Sequence, residues 1–186
     1  MRWDLLFTDL ESQAAALERA ERDGEVDERA RIELARVRLV DRLAPALGRV
    51  LRITCRNGVT VTGPLVRVGA QWLLVDEPAG RQALVAVSAV TRIGGLARYT
   101  ATHDWLGPID SRLGLAHVLR GIARDRSGVR VDLIDASSVS GTIDRVGDDF
   151  FELAVHDVGV ARRASEVREV AVIALAAFAV VRRDGG

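Results

Sequence analysis

Gly63-Pro64-Leu65-Val66-Arg67-Val68-Gly69, followed by Gln71-Trp72-Leu73-Leu74-Val75, reads as a bent strand, a tight turn at Gly69 and a second apolar strand. A near copy lies downstream: Gly141-Thr142-Ile143-Asp144-Arg145-Val146-Gly147, followed by Asp149-Phe150-Phe151-Glu152-Leu153. Gly63, Arg67 and Gly69 recur at Gly141, Arg145 and Gly147, each 78 positions on (141 − 63), so the chain carries an internal duplication.

The strands around each copy follow from period-two alternation. Leu51, Ile53 and Cys55 alternate with Arg52, Thr54 and Arg56, as a half-buried strand requires. Asn57-Gly58 then predicts a two-residue hairpin turn into Val59-Thr60-Val61-Thr62, and Gly63-Pro64 predicts a bulge or sharp bend. Further strands are expected at Trp72 to Val75, Ala83 to Val87 and Val90 to Ile93. In the second copy Val129, Val131 and Leu133 repeat the opening strand, with a looser turn at Asp135-Ala136-Ser137-Ser138. Ser165 to Val170 matches Ser88 to Ile93 at a shift of 77 (165 − 88), which predicts a one-residue deletion in the intervening loop. The last strand is expected to include Ala177 to Val181.

Helical periodicity precedes each copy. Thr8-Asp9-Leu10-Glu11 has the form of a capping box, and a second helix from about Asp27 would turn Ile32, Ala35, Leu39 and Leu43 inward. This segment reads as a helical hairpin or kinked helix packed on the chain, the sharper alternative being a short arm for self-association. Thr100 to Pro108 has the composition of a linker. Asp110 or Ser111 would cap a helix with Leu115, Val118, Leu119 and Ile122 on one side. The expected organisation is a helical segment over 1–47, a first β unit over 48–100, a linker over 101–109, and a helix plus second β unit over 110–186.

Composition narrows the function. The 186 residues are 48% hydrophobic and 28% charged, a globular balance. All 26 basic residues are Arg, matched by 26 acids, so the basic surplus usual in a phosphate-binding protein is missing. Arg-only usage fits the codon bias of a GC-rich bacterial genome before it fits guanidinium recognition. A single Cys makes no internal disulfide, and the longest apolar run, Val170 to Val181, is too short to span a bilayer. A cytoplasmic location away from membranes is expected. Cys55 shares a face with Leu51 and Ile53, so it is expected to be buried rather than nucleophilic. His103, His117 and His156 are scattered without metal-ligand spacing, and His103-Asp104 near Ser111 has no nucleophile elbow to complete a triad. The expectation is therefore no catalysis, no metal and no cofactor.

Five short strands with a glycine bend in the second resemble the Sm-like family of small barrels, also known as LSm. The residues that carry the resemblance are Gly58, Gly63 and Gly69 with Trp72-Leu73-Leu74 and Val85 to Ile93, and Gly141 and Gly147 with Phe150 to Leu153 and Ser165 to Val170. The resemblance implies an α+β, mainly β chain: two tandem Sm-like or SH3-like five-stranded barrels, each preceded by a helix. It also implies RNA binding and ring assembly, and the duplicated arrangement looks like bacterial proteins labelled transcriptional regulators. The family's base-reading Asp and Asn are replaced, by Gly69 and Leu73 in one copy and Gly147 and Phe151 in the other. Arg92-Ile93-Gly94 echoes the family's later arginine-glycine signature.

Candidate contacts follow. Arg120, Arg124, Arg126, Arg130, Arg162, Arg163, Arg182 and Arg183 would form a phosphate-binding face if they converge, or solvated ion pairs if Asp125, Asp132, Asp157 and Asp184 interleave with them. Trp72, Phe150 and Phe151 are candidate stacking aromatics, with core packing the better expectation; Phe150 and Phe151 must face opposite ways, leaving one of them exposed. The leading functional expectation is a binding or regulatory module associated with RNA. The alternative is a protein–protein adaptor or oligomeric scaffold, joined through strand edges or the N-terminal helices.

Overall fold

The computed structural model describes residues 29, 31–96, 113–156 and 169–183. The chain divides into two compact units, residues 1–38 and 39–186. In the first, residues 31–35 are helical and Ile32 and Leu34 are exposed. The expected continuous helix with Ile32 inside does not form over the described residues, because the chain breaks at 36–38. The linker, the capping box and His103-Asp104 lie outside the described residues.

The second unit opens with a short helix α1 (Leu39–Leu43) and a single 3-10 turn (Ala44–Ala46). Ten strands follow: β1 (Val50–Cys55), β2 (Thr60–Val68), β3 (Trp72–Glu77), β4 (Arg81–Ala86), β5 (Val90–Gly94), β6 (Gly128–Leu133), β7 (Ser138–Val146), β8 (Phe150–Val155), β9 (Glu169–Ala174) and β10 (Phe178–Arg183). Helix α2 (Leu115–Asp125) precedes β6. The strands form one open antiparallel sheet in the order β5-β1-β2-β3-β4-β10-β6-β7-β8-β9. The fold is mainly β, with few helices.

The duplication is visible strand by strand. The first block runs 5-1-2-3-4 and the second runs 10-6-7-8-9, the same order with each strand replaced by its repeat. Leu51 faces Gly63 as Val129 faces Gly141. The bulge of β2 falls between Leu65 and Arg67, and that of β7 between Ile143 and Arg145. A bulge bends its strand, so each long second strand can pair with the first strand along one half and the third along the other. Gly63 and Gly141 sit just before these bends. A Cβ at Gly63 would overlap the backbone carbonyl of Asp76, and one at Gly141 that of Ala154. The backbone approach itself demands glycine at both places.

Two expectations are corrected by pairing. The hairpin at Asn57-Gly58 has a three-residue loop rather than two: Cys55 N–H donates to Val59 O at 2.9 Å and Gly58 N–H to Cys55 O at 3.0 Å. Gly58, at φ +81°, is the left-handed residue that closes such a loop. The second hairpin is not looser but the same turn. Leu133 N–H donates to Ser137 O at 2.9 Å, Ala136 N–H to Leu133 O at 3.2 Å, and Ala136 takes φ +71° in Gly58's place. Asp135 does the work of Asn57, accepting Ser137 N–H at 2.9 Å as Asn57 Oδ1 accepts Val59 N–H at 3.0 Å. An alanine in this conformation costs about 1 kcal/mol relative to glycine. Ala136→Gly is therefore expected to raise stability by roughly that amount, read by urea denaturation; a loss would show that the turn is not strained.

The second correction concerns the repeat's last strands. Residues 169 and 170 lie in β9, which pairs with β8 (Phe150 opposite Ala174) as β4 pairs with β3 (Trp72 opposite Ala86). The shift has therefore grown from 78 to 88 (174 − 86), not shrunk to 77. Three residues (78–80) join β3 to β4, whereas thirteen (156–168) join β8 to β9. The second copy has a ten-residue insertion where a one-residue deletion was expected. β10, beginning at Phe178, takes the place of β5.

Candidate functional site

The structural centre of the second unit is the seam between the two blocks, where β4 pairs with β10. Val85 faces Val180, Leu84 faces Val181 and Ala83 faces Arg182. All of these except Arg182 are buried. Arg182 Nε donates to Glu77 Oε2 at 2.8 Å and its second terminal nitrogen to Oε1 at 3.2 Å, the two-pronged geometry that suits a guanidinium. Its other terminal nitrogen donates to Asp132 Oδ2. Arg130 Nε bonds the other Asp132 oxygen at 3.2 Å, so two cations and two carboxylates close a small network. Burial opposes the Arg182 charge, but its hydrogen bonds to Glu77 and the charges of Glu77 and Asp132 outweigh it and raise its pKa above the ordinary value. Asn57 adds a further tie across the seam, donating to Leu133 O at 2.9 Å. The sequence reading missed Arg182, Glu77 and Asn57 as seam residues.

Cys55 lies beside this network and is buried, as expected. Burial pushes its thiol pKa up, Arg182 pulls it partly back, and Asp132 adds to the rise. A folded thiol held above its unfolded pKa leaves stability unchanged below the unfolded value and erodes it as pH rises past that value. Cys55 is expected to resist iodoacetamide in the native protein at pH 8 and to react in urea; equal rates in both would contradict its burial.

Helix α2 ties the blocks together from one face. Its cap position falls at Gly114, not at Asp110 or Ser111, and no side chain of its own caps it. Gln71 of the first block supplies the acceptor instead, taking Leu115 N–H at 3.2 Å. Trp72 Nε1 donates to Leu113 O at 2.8 Å. Leu115 and Leu119 are the buried residues of this helix.

The sequence candidates separate. Trp72 and Phe151 are buried and cannot serve as exposed stacking platforms. A Cβ at Gly69 would overlap the Trp72 ring and one at Gly147 the Phe150 ring, so each aromatic lies over its turn glycine. Phe151 meets Phe178 edge-on at 6.1 Å in the core. Phe150, facing the other way, is half-buried. Among the arginines, Arg120 donates to Gly147 O at 3.0 Å and Val146 O at 3.4 Å, closing the β7–β8 turn. Arg130 is held by Asp132 and by Ser138 Oγ at 3.1 Å, and Arg183 pairs with Asp125. Arg124 and Arg126 line one cavity of about 340 Å3 with Asp144 and Ile143. Arg162 and Arg163 lie outside the described residues. Among the described arginines, Arg130, Arg182 and Arg183 are held in ion pairs and Arg120 is held by two carbonyls.

Thr142 Oγ1 and His156 Nε2 meet at 2.8 Å in the interior, a pair that the sequence did not suggest. Among the described residues, no group of three or more His, Cys, Asp or Glu side chains is placed to hold a metal, and no helix is long and apolar enough to cross a membrane.

The two outer edges of the sheet are β5 and β9, the repeats of β10 and β4 that meet at the seam. Leu84 at the seam is 2% exposed, whereas Val172, its repeat on β9, is 67% exposed and neighbouring Val170 is 54% exposed. No family model matches this chain and no curated protein shows significant similarity to it.

Proposed function

We propose that the protein is a non-catalytic cytoplasmic scaffold, two tandem Sm-like barrels that assemble head to tail through their free strand edges. The repeated five-strand order, with its bulged and glycine-bent second strands, supports curved barrels rather than a flat sheet. The carrying observation is the bare Val172, whose counterpart Leu84 is covered at the seam. An edge strand with exposed valines is a template for another strand. By the seam's own register, Ile93 of a second copy would stand opposite Val172, as Val181 stands opposite Leu84. Joining unlike edges in this way gives rings if the rotation closes.

Light scattering after size exclusion is expected to give a mass that is a multiple of 20.1 kDa. The pair Val170→Lys and Val172→Lys should return it to the monomer. A disulfide formed between Ile93→Cys and Val172→Cys should link copies covalently, since paired strands hold Cα atoms within disulfide reach. A monomer at every concentration would sink the proposal. A heterologous protein seated on the same edges would instead give a mixed complex.

A second reading, association with RNA, is favoured by Arg124 and Arg126 sharing one cavity. It predicts salt-dependent binding of single-stranded RNA that weakens when Arg120, Arg124 and Arg130 become Ala; no binding at low salt removes it.

A further inference from the structure

Helix α2 packs on β7 of the second block and faces the first block without sealing against it. Two cavities of about 280 Å3 and 260 Å3 share Leu74, Leu84, Val118 and Gly121, so they form one groove between the helix and strands β3 and β4. Val118 and Ile122 are only half-buried along its wall, and Leu74 is half-buried on its floor. At the centre of the wall is Gly121, where a Cβ would meet nothing within 4 Å. Glycine inside a helix costs close to 1 kcal/mol against alanine. Here no close approach of backbone requires it; what it leaves is room.

The groove is polarised. One half is lined by Arg67, His117 and Arg124, with Trp72 and Leu113 beside them and no carboxylate among its residues. His117, Gly121 and Arg124 are spaced i, i+4, i+7 and so form one stripe along the helix. The other half runs over Leu84, Val129 and Val181 toward Asp125 and Arg183, which are paired with each other. From His117 to Asp125 the helix advances roughly 12 Å. Each half exceeds the 150 Å3 or so that admits benzene into an apolar cavity.

We propose that this groove binds a small amphipathic carboxylate, a free medium-chain fatty acid. The chain would lie over Leu74 and Leu84 beneath Gly121, with the carboxylate turned to Arg124. Apolar walls with a few convergent polar groups are the usual make-up of a small-molecule site. The site is separate from the strand edges and does not depend on assembly.

The test is calorimetric titration of the full chain with octanoate, octanol and acetate. Octanoate is expected to bind saturably, octanol at least tenfold more weakly for want of the charge-assisted contact, and acetate not at all. Arg124→Ala should bring octanoate down toward octanol, and Gly121→Leu should abolish binding by filling the groove. The variant pair Val170→Lys and Val172→Lys should bind as the wild type does. Octanoate should also shift the backbone amide resonances of Gly121 and Arg124, a readout that holds if the leucine variant fails to fold. Absence of saturable octanoate binding, equal binding of octanol, or wild-type affinity in a folded Gly121→Leu protein would overturn the proposal.

Discussion

Replacing Arg182 by alanine is expected to cost about 3 kcal/mol of unfolding free energy, because it strips Glu77 of its guanidinium and leaves the buried Asp132 with Arg130 alone. The Arg182 side chain is 17% exposed, and those of Glu77 and Asp132 are 10% and 7% exposed, so water replaces little of what is lost. The partners are 105 and 50 residues from Arg182 in sequence, and the three residues lie on three strands, so the damage falls on the seam itself. Chemical denaturation at neutral pH checks the size, and an unchanged m-value would show that unfolding stays cooperative. Removing Arg182, Glu77 and Asp132 together, as Arg182→Met, Glu77→Leu and Asp132→Leu, is expected to be milder than the single change, since the one charge that loses its partner, Arg130, is 54% exposed to water. A single-variant loss under about 1 kcal/mol would mean that the network behaves as a surface ion pair.

The seam also marks the border between what the sequence disclosed and what it withheld. Gly63 and Gly141 were legible because backbone proximity admits one residue type, and Gly58 because its φ of +81° favours glycine. Ala136 hid the likeness of the second hairpin to the first, because the αL conformation there is imposed by the turn's hydrogen bonds despite its side chain. β9 was misplaced because Ser165, Val167 and Val170 match Ser88, Val90 and Ile93 position for position, and such a match carries no information about which strand lies beside it. The insertion between β8 and β9 leaves no local trace except length. Asp132 and Arg130 were read as surface charges because alternation places them on a strand, while the partner that buries Asp132 comes from β10. The groove beneath α2 was unreadable since Val118, Gly121 and Ile122 fit an ordinary packed helix equally well.

One substitution, glycine to alanine, should have opposite signs at two positions, and the contrast isolates the role of backbone approach. At Gly63 the added methyl would overlap the Asp76 carbonyl of the paired strand. The obstacle is backbone, so relief requires β2 and β3 to separate where Leu65 faces Val75. Overpacking of this kind costs typically 1–3 kcal/mol, and a rigid backbone neighbour puts Gly63→Ala at about 3 kcal/mol. Gly141→Ala, against the Ala154 carbonyl, should fall in the same range. Gly121→Ala meets open space in a helix and should gain about 0.5–1 kcal/mol from propensity and reduced unfolded-chain entropy. Thermal and urea unfolding of the three single variants checks all the signs at once. Equal small losses at Gly63 and Gly121 would mean that glycine at the strand bend serves flexibility rather than contact. A large loss confined to Gly63 and Gly141 would tie both bends to the same strand-on-strand approach.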